Sequence, residues 1–168
     1  VESRGGLSVL DANSGRIRHL GVRGWGPAWS PDGRWIAFMR VPGSLAVAGV
    51  QGRVARTVVR QAHCCLTWSP DGHALAYVGG SRLSPATWQI HVVGVDGTDD
   101  RQLTDDPHGV LFPSWSPDGE TITFTSLRRL PVLEAVAAAG GAIRTLAGRV
   151  SGDGRAVWRP GKPGAASR

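Results

Sequence analysis

The chain has 168 residues, with 19 basic and 13 acidic side chains and a formal net charge of +6. Hydrophobic residues make up 41%, which suits one packed domain and excludes a wholly disordered chain. The 24 Gly and 11 Pro fall between short apolar runs, which excludes a helical bundle and predicts many turns and short strands.

In chain order, a first apolar patch holds Leu7 and Val9, a turn follows at Asn13-Ser14-Gly15, and Arg18 and Leu20 mark a second patch. Trp29-Ser30-Pro31-Asp32-Gly33 comes next, then Ile36 and Phe38, then Leu45 and Val47, then Arg56 and Val58. Trp68-Ser69-Pro70-Asp71-Gly72 opens the same series again, through Leu75 and Tyr77, Ile90 and Val92, Asp96-Gly97, and Arg101 and Leu103. Trp115-Ser116-Pro117-Asp118-Gly119 opens it a third time, through Ile122 and Phe124, Leu133 and Ala135, and Arg144 and Leu146. A decayed fourth opening reads Trp158-Arg159-Pro160-Gly161. The tryptophans stand 39, 47 and 43 residues apart.

Such a period marks a repeat architecture. In Ser-Pro-Asp-Gly, Pro presets φ, Asp tolerates the second turn position, and Gly takes the left-handed conformation that closes a type I turn with a bulge. Each unit therefore reads as a four-stranded antiparallel meander, A to D, with strand A ending at the tryptophan and strand B at 34–40, 73–79 and 120–126. One such sheet cannot bury both faces alone, and packing copies radially yields a β-propeller. Locally, 132–139 reads as a short helix before Gly140, but the repeat register makes it strand C of the third unit.

The predicted propeller runs over residues 1–160, with units at about 21–60, 61–104 and 105–147, an incomplete or closing blade from 1–20 plus 148–160, and a tail at 161–168. The strand count gives three complete blades and most of a fourth. That material predicts either a piece of a larger propeller with its missing part before Val1, or a small four-blade ring closed through a blade one strand short.

The repeat resembles that of the TolB-like propellers, relatives of the Trp-Asp repeat families. Pro113-Ser114-Trp115-Ser116-Pro117-Asp118-Gly119, Ile36-Ala37-Phe38 and Asp96-Gly97 through Arg101-Gln102-Leu103-Thr104 carry the likeness. The resemblance implies a fold of about six blades, work as a scaffold in the bacterial periplasm or at the cell surface, and a closing strand at Trp158-Arg159-Pro160. It says less about function. Val1 follows no signal segment in this sequence.

Eighteen of the basic residues are Arg and one is Lys162, spread along the chain with only Arg128 and Arg129 adjacent. That scatter lacks the stripe of a nucleic-acid binder. No apolar run reaches the ~20 residues of a membrane-spanning helix. Cys64 and Cys65 are neighbours, where a disulfide is strained and uncommon and a zinc site lacks ligands, so they read as two small apolar side chains. No nucleophile elbow, metalloprotease helix, Walker loop or C-x-x-C pair occurs, and no cofactor or metal is expected. Asp32, Asp71 and Asp118 are turn residues. The acidic stretch Asp96, Asp99, Asp100, Asp105 and Asp106, near His108, does not follow a calcium-loop spacing.

What remains is a non-enzymatic scaffold that binds a protein or an anionic ligand. The alternative is the accessory propeller of a prolyl-oligopeptidase-like peptidase. In an A-to-D meander the B–C and D–A connections share one face, and variable loops on a regular scaffold carry recognition. Candidate binding residues on that face are Arg40, Arg82, Arg128 and Arg129 from B–C connections, with Arg23, Trp25, His63 and His108 from D–A segments. Trp29, Trp68, Trp115 and Trp158, with Asp32-Gly33, Asp71-Gly72 and Asp118-Gly119, are structural. The incomplete blade predicts self-association.

Overall fold

The computed structural model describes residues 6–51, 53–149, 156 and 158. Strands β1 (Gly6–Leu10) and β2 (Ile17–Arg23) pair with each other. Three four-stranded sheets follow. The first blade is β3 (Trp25–Trp29), β4 (Trp35–Arg40), β5 (Ser44–Gly49) and β6 (Arg53–Val59). The second is β7 (Cys64–Trp68), β8 (Ala74–Gly79), β9 (Gln89–Gly94) and β10 (Arg101–Gln102), with a one-turn 3-10 helix at Pro85–Thr87 between β8 and β9. The third is β11 (Val110–Trp115), β12 (Thr121–Ser126), β13 (Val132–Ala137) and β14 (Arg144–Ala147). Every pairing is antiparallel and runs in chain order, as the repeat requires.

The segment that reads locally as a helix is strand β13, paired with β12 on one side and β14 on the other. Burial of Glu134, Ala135 and Val136 between neighbouring elements outweighs the helical preference of its alanines.

The three Ser-Pro-Asp-Gly turns are built from the same bonds. In the first, Gly33 N–H donates to the Ser30 carbonyl at 2.9 Å, and the Ser30 hydroxyl donates to Asp32 Oδ1 while accepting from Trp35 N–H at 2.9 Å. Asp32 Oδ1 also accepts from Arg34 N–H. Ser69 and Asp71, then Ser116 and Asp118, repeat the pattern. Gly33, Gly72 and Gly119 have φ of +68°, +74° and +76°, the left-handed values the turn demands.

A second repeated device lies inside strand A. Three residues before each tryptophan the chain turns left-handed, at Gly26 (φ +59°), Cys65 (+58°) and Phe112 (+58°), and the pairing with strand B slips there by a bulge. This bulge corrects the reading of the cysteines. Side-chain alternation breaks at Cys65, and Cys64 and Cys65 form a disulfide between neighbours.

Apolar clusters fill each gap between sheets. Leu7, Leu20, Ile36 and Phe38 join the β1–β2 pair to the first blade. Met39, Leu45, Leu75, Tyr77 and Val93 join the first blade to the second. Val78, Ile90, Ile122, Phe124 and Val136 join the second to the third. Two tryptophan staples each reach back to the preceding Trp-bearing strand. Trp68 Nε1 donates to the Ala28 carbonyl at 3.0 Å, and Trp158 Nε1 donates to the Ser114 carbonyl at 3.2 Å, each reaching the residue just before the previous tryptophan. Trp115 Nε1 is buried with no acceptor. Arg56 donates to the Val95 carbonyl and Arg101 to the Ala138 carbonyl, both at 2.8 Å. The recurring strand-D arginine therefore fastens its blade to the next one.

Among the described residues the sheets do not close into a ring. β1 pairs with β2 alone, and Trp158 rests against β11. The small closed four-blade ring is thus not formed by these elements. Of the incomplete blade's predicted segments, 6–20 are described, while most of 148–168 lies outside the described residues.

Candidate functional site

The meander brings the B–C and D–A connections to one face, and a cleft of about 870 Å³ opens there between the first two blades. Pro42 and Gly43 from one B–C loop and Gly80 to Arg82 from the next form its rim, with Arg60 to Ala62 from the D–A connection between them. Ala62 N–H donates to the Gly43 carbonyl and ties two of these segments together. Arg60 and Arg82 are exposed and carry no ion pair among the described residues.

Tyr77, His91 and Asp100 line the wall of the cleft. Tyr77 and His91 are cross-strand partners on β8 and β9, their rings 5.2 Å apart. The Tyr77 hydroxyl donates to the Asp100 carboxylate at 2.8 Å, and His91 Nδ1 lies 3.7 Å from the same group. Burial, with the Asp100 carboxylate beside it, drives the Tyr77 pKa well above the usual phenol range. Burial also lowers the His91 pKa, against the opposing pull of Asp100. Tyr77 therefore stays a hydroxyl donor, and burial disfavours the charged form of His91. The cluster orders the wall rather than supplying an acid–base pair.

The next inter-blade gap is filled differently. Arg128 Nη2 lies 2.8 Å from Glu134 Oε1 and 3.5 Å from Asp106 Oδ2, and both carboxylates are nearly fully buried. Asp106 also accepts from the Ser126 hydroxyl at 2.7 Å and from His108 N–H at 2.7 Å. Burial alone would raise its pKa, but the Ser126 and His108 hydrogen bonds and the Arg128 charge together hold it below the ordinary value. Glu134 Oε2 is buried without a partner.

The candidate binding residues thus divide. Arg40, Arg82 and Arg129 are exposed at B–C connections, as their positions predicted. Arg128 lies at the same kind of connection but is occupied by Asp106 and Glu134. His108 flanks that network, its Nδ1 3.2 Å from Asp106. His63 stacks on Trp88 at 4.2 Å, and burial, then the Arg82 charge, lowers its pKa. Arg23 ends β2, and Trp25 opens β3 with 36% of its surface exposed.

The acidic stretch separates into unrelated roles: Asp96 caps the Thr98 turn, Asp100 holds Tyr77, and Asp106 is buried. The Tyr77–His91–Asp100 wall and the pairing of Arg128 were missed in the sequence. The available signal was positional: His91 and Glu134 each follow the apolar residue, Ile90 or Leu133, that recurs in strand C.

No family model matches the chain. A stretch of 58 residues is 45% identical to an uncharacterized peptidase, YuxL, of Bacillus subtilis (strain 168), covering 34% of this chain and 8% of that protein. Among solved structures, a protein assigned as TolB from Agrobacterium tumefaciens superposes with a TM-score of 0.69 at 22% identity, over 92% of this chain and 62% of that one. TolB from Acinetobacter baumannii gives 0.70 at 17% identity, over 84% and 37%. The tricorn protease gives 0.65 at 12% identity, over 79% and 15%. The fold is that of a TolB-like β-propeller. The chain spans less than two thirds of the length of each of these proteins.

Proposed function

We propose that the chain is a recognition module that binds a protein or an anionic ligand through its B–C and D–A loops and performs no chemistry of its own. The observation that carries this reading is the set of exposed arginines on that face that have no carboxylate partner among the described residues: Arg40, Arg60, Arg82 and Arg129. Their fields add at one surface and favour an acidic partner. The likeness to TolB supports a scaffold outside the cytoplasm, in the bacterial periplasm.

The test is affinity capture on the immobilised chain, with bound proteins identified by mass spectrometry. Charge reversal at Arg40 and Arg129 abolishes capture and its salt dependence, while reversal at Arg16, in the β1–β2 turn on the other face, leaves both intact. The opposite pattern overturns the face assignment.

A second reading, the accessory propeller of a prolyl-oligopeptidase-like peptidase, is favoured by the match to a protein named as a peptidase and by the tricorn likeness. On that reading the loop face admits peptide to a catalytic domain elsewhere in the protein. Expression of the complete reading frame with a peptidase assay decides between them: hydrolysis lost on mutation of a serine outside this segment supports the second.

A further inference from the structure

The two gaps between the three complete blades are copies of one another, so their residues can be matched position by position. The left-handed bulge residues Cys65 and Phe112 correspond. Six residues before them stand Val59 at the first gap and Asp106 at the second. The cross-strand pair Tyr77 and His91 corresponds in the same way to Phe124 and Glu134. The second gap therefore supplies two buried carboxylates to the arginine of its B–C loop, and the first gap replaces them with a valine and a histidine.

Arg82, on the B–C loop at the first gap, has no ion pair among the described residues, and the cleft lies open beside it, whereas Arg128, on the B–C loop at the second, is paired. Its guanidinium is held at the mouth, packed closely enough over Gly43 that a Cβ there would meet Nε at 3.3 Å. Arg60 lines the same opening. The cleft's own carboxylate, Asp100, is engaged by the Tyr77 hydroxyl through both oxygens.

We propose that this cleft receives a side-chain carboxylate from an acidic peptide segment of a protein partner, which pairs with Arg82 as Glu134 and Asp106 pair with Arg128. This rests on the loop-face reading above and names its ligand. A carboxylate matches the planar fork of Arg bidentately.

The probe is a fluorescein-labelled tetraglutamate peptide, with tetraglutamine of the same length as its neutral counterpart, followed by fluorescence anisotropy at low salt. Tetraglutamate binds and tetraglutamine does not. Arg82→Gln weakens binding about tenfold, the scale of one charge-assisted hydrogen bond. Val59→Asp does the same by installing the missing internal carboxylate, and the control Arg16→Gln, in the β1–β2 turn on the other face, leaves binding unchanged.

Absence of tetraglutamate binding overturns the proposal, as does equal weakening by Arg16→Gln or indifference to Arg82→Gln. Tighter, Arg82-dependent binding of an oligothymidylate of equal charge overturns the choice of carboxylate. The loop-face reading fails separately: partner capture then ignores Arg40 and Arg129, while peptide binding and its Arg82 dependence persist. If only the cleft is wrong, capture survives Val59→Asp.

Discussion

Each Ser-Pro-Asp-Gly turn rests on one hydroxyl that accepts from a backbone N–H and donates to a carboxylate. Ser69 is buried, so replacing it by Ala strands the Ala74 N–H and frees Asp71, and should cost about 1–2 kcal/mol. Chemical denaturation of Ser69→Ala measures it. The same bond sets a pH dependence. The Ser69 hydroxyl, followed by the His73 N–H, holds the Asp71 pKa below its ordinary value of 3.8. Asp32 and Asp118 are lowered in the same way by Ser30 and Ser116. A carboxylate depressed on folding contributes stability above its unfolded pKa and loses it as pH falls through the folded one. Thermal melts should therefore drop progressively below about pH 4, with a shallower drop in Ser69→Ala. At the bulge, Gly26 has φ +59° with open space around it, so Gly26→Ala carries a pure backbone penalty of about 1–2 kcal/mol. A variant as stable as the parent would show that the bulge relaxes.

Two arginines at the same kind of loop differ because of what the neighbouring element offers. Removing Arg128 leaves Glu134 and Asp106 buried without their cation. Arg128→Ala should cost about 2 kcal/mol, below the full penalty of a buried pair because the guanidinium is half-exposed. Arg82→Ala, with no carboxylate to abandon, should cost less than about 0.5 kcal/mol. Equal losses in urea melts would contradict this contrast. The difference was not legible in the sequence, and the reason is local. Turns and strands follow short-range rules, so Trp-Ser-Pro-Asp-Gly and the strands on either side of it could be placed to within a residue or two. Val59 ends β6 and Asp106 lies in the connection after β10, and between strand D and the next strand A the repeat changes length and gives no register until the bulges are seen. The strand-D arginines were visible as a recurrence, but their acceptors, Val95 and Ala138, lie on the following blade. Cys65 and Phe112 adopt a conformation that only Gly26 advertises.

The propagation of one staple around the axis shows where the molecule is unfinished. Trp68 reaches back to the Ala28 carbonyl and is nearly buried, at 7% exposed. Trp29 occupies the same place in the first blade, but the sheet before it holds only β1 and β2 among the described residues, and it is 52% exposed. Among the described residues β1 has a strand on one edge alone. At the other end of the series Leu130 and Leu146 are 54% and 45% exposed. An unpaired strand edge together with exposed apolar side chains is a template for another chain. Sedimentation velocity on this chain should therefore show association that grows with concentration. Leu146→Lys should weaken it while changing stability by less than about 0.5 kcal/mol, as for other exposed positions. Trp29→Ser should weaken it from the opposite end, and the two effects should add if each end contributes to a head-to-tail contact between copies. A sharp monomer boundary at high concentration, unchanged by either substitution, would mean that the open ends are satisfied within one chain.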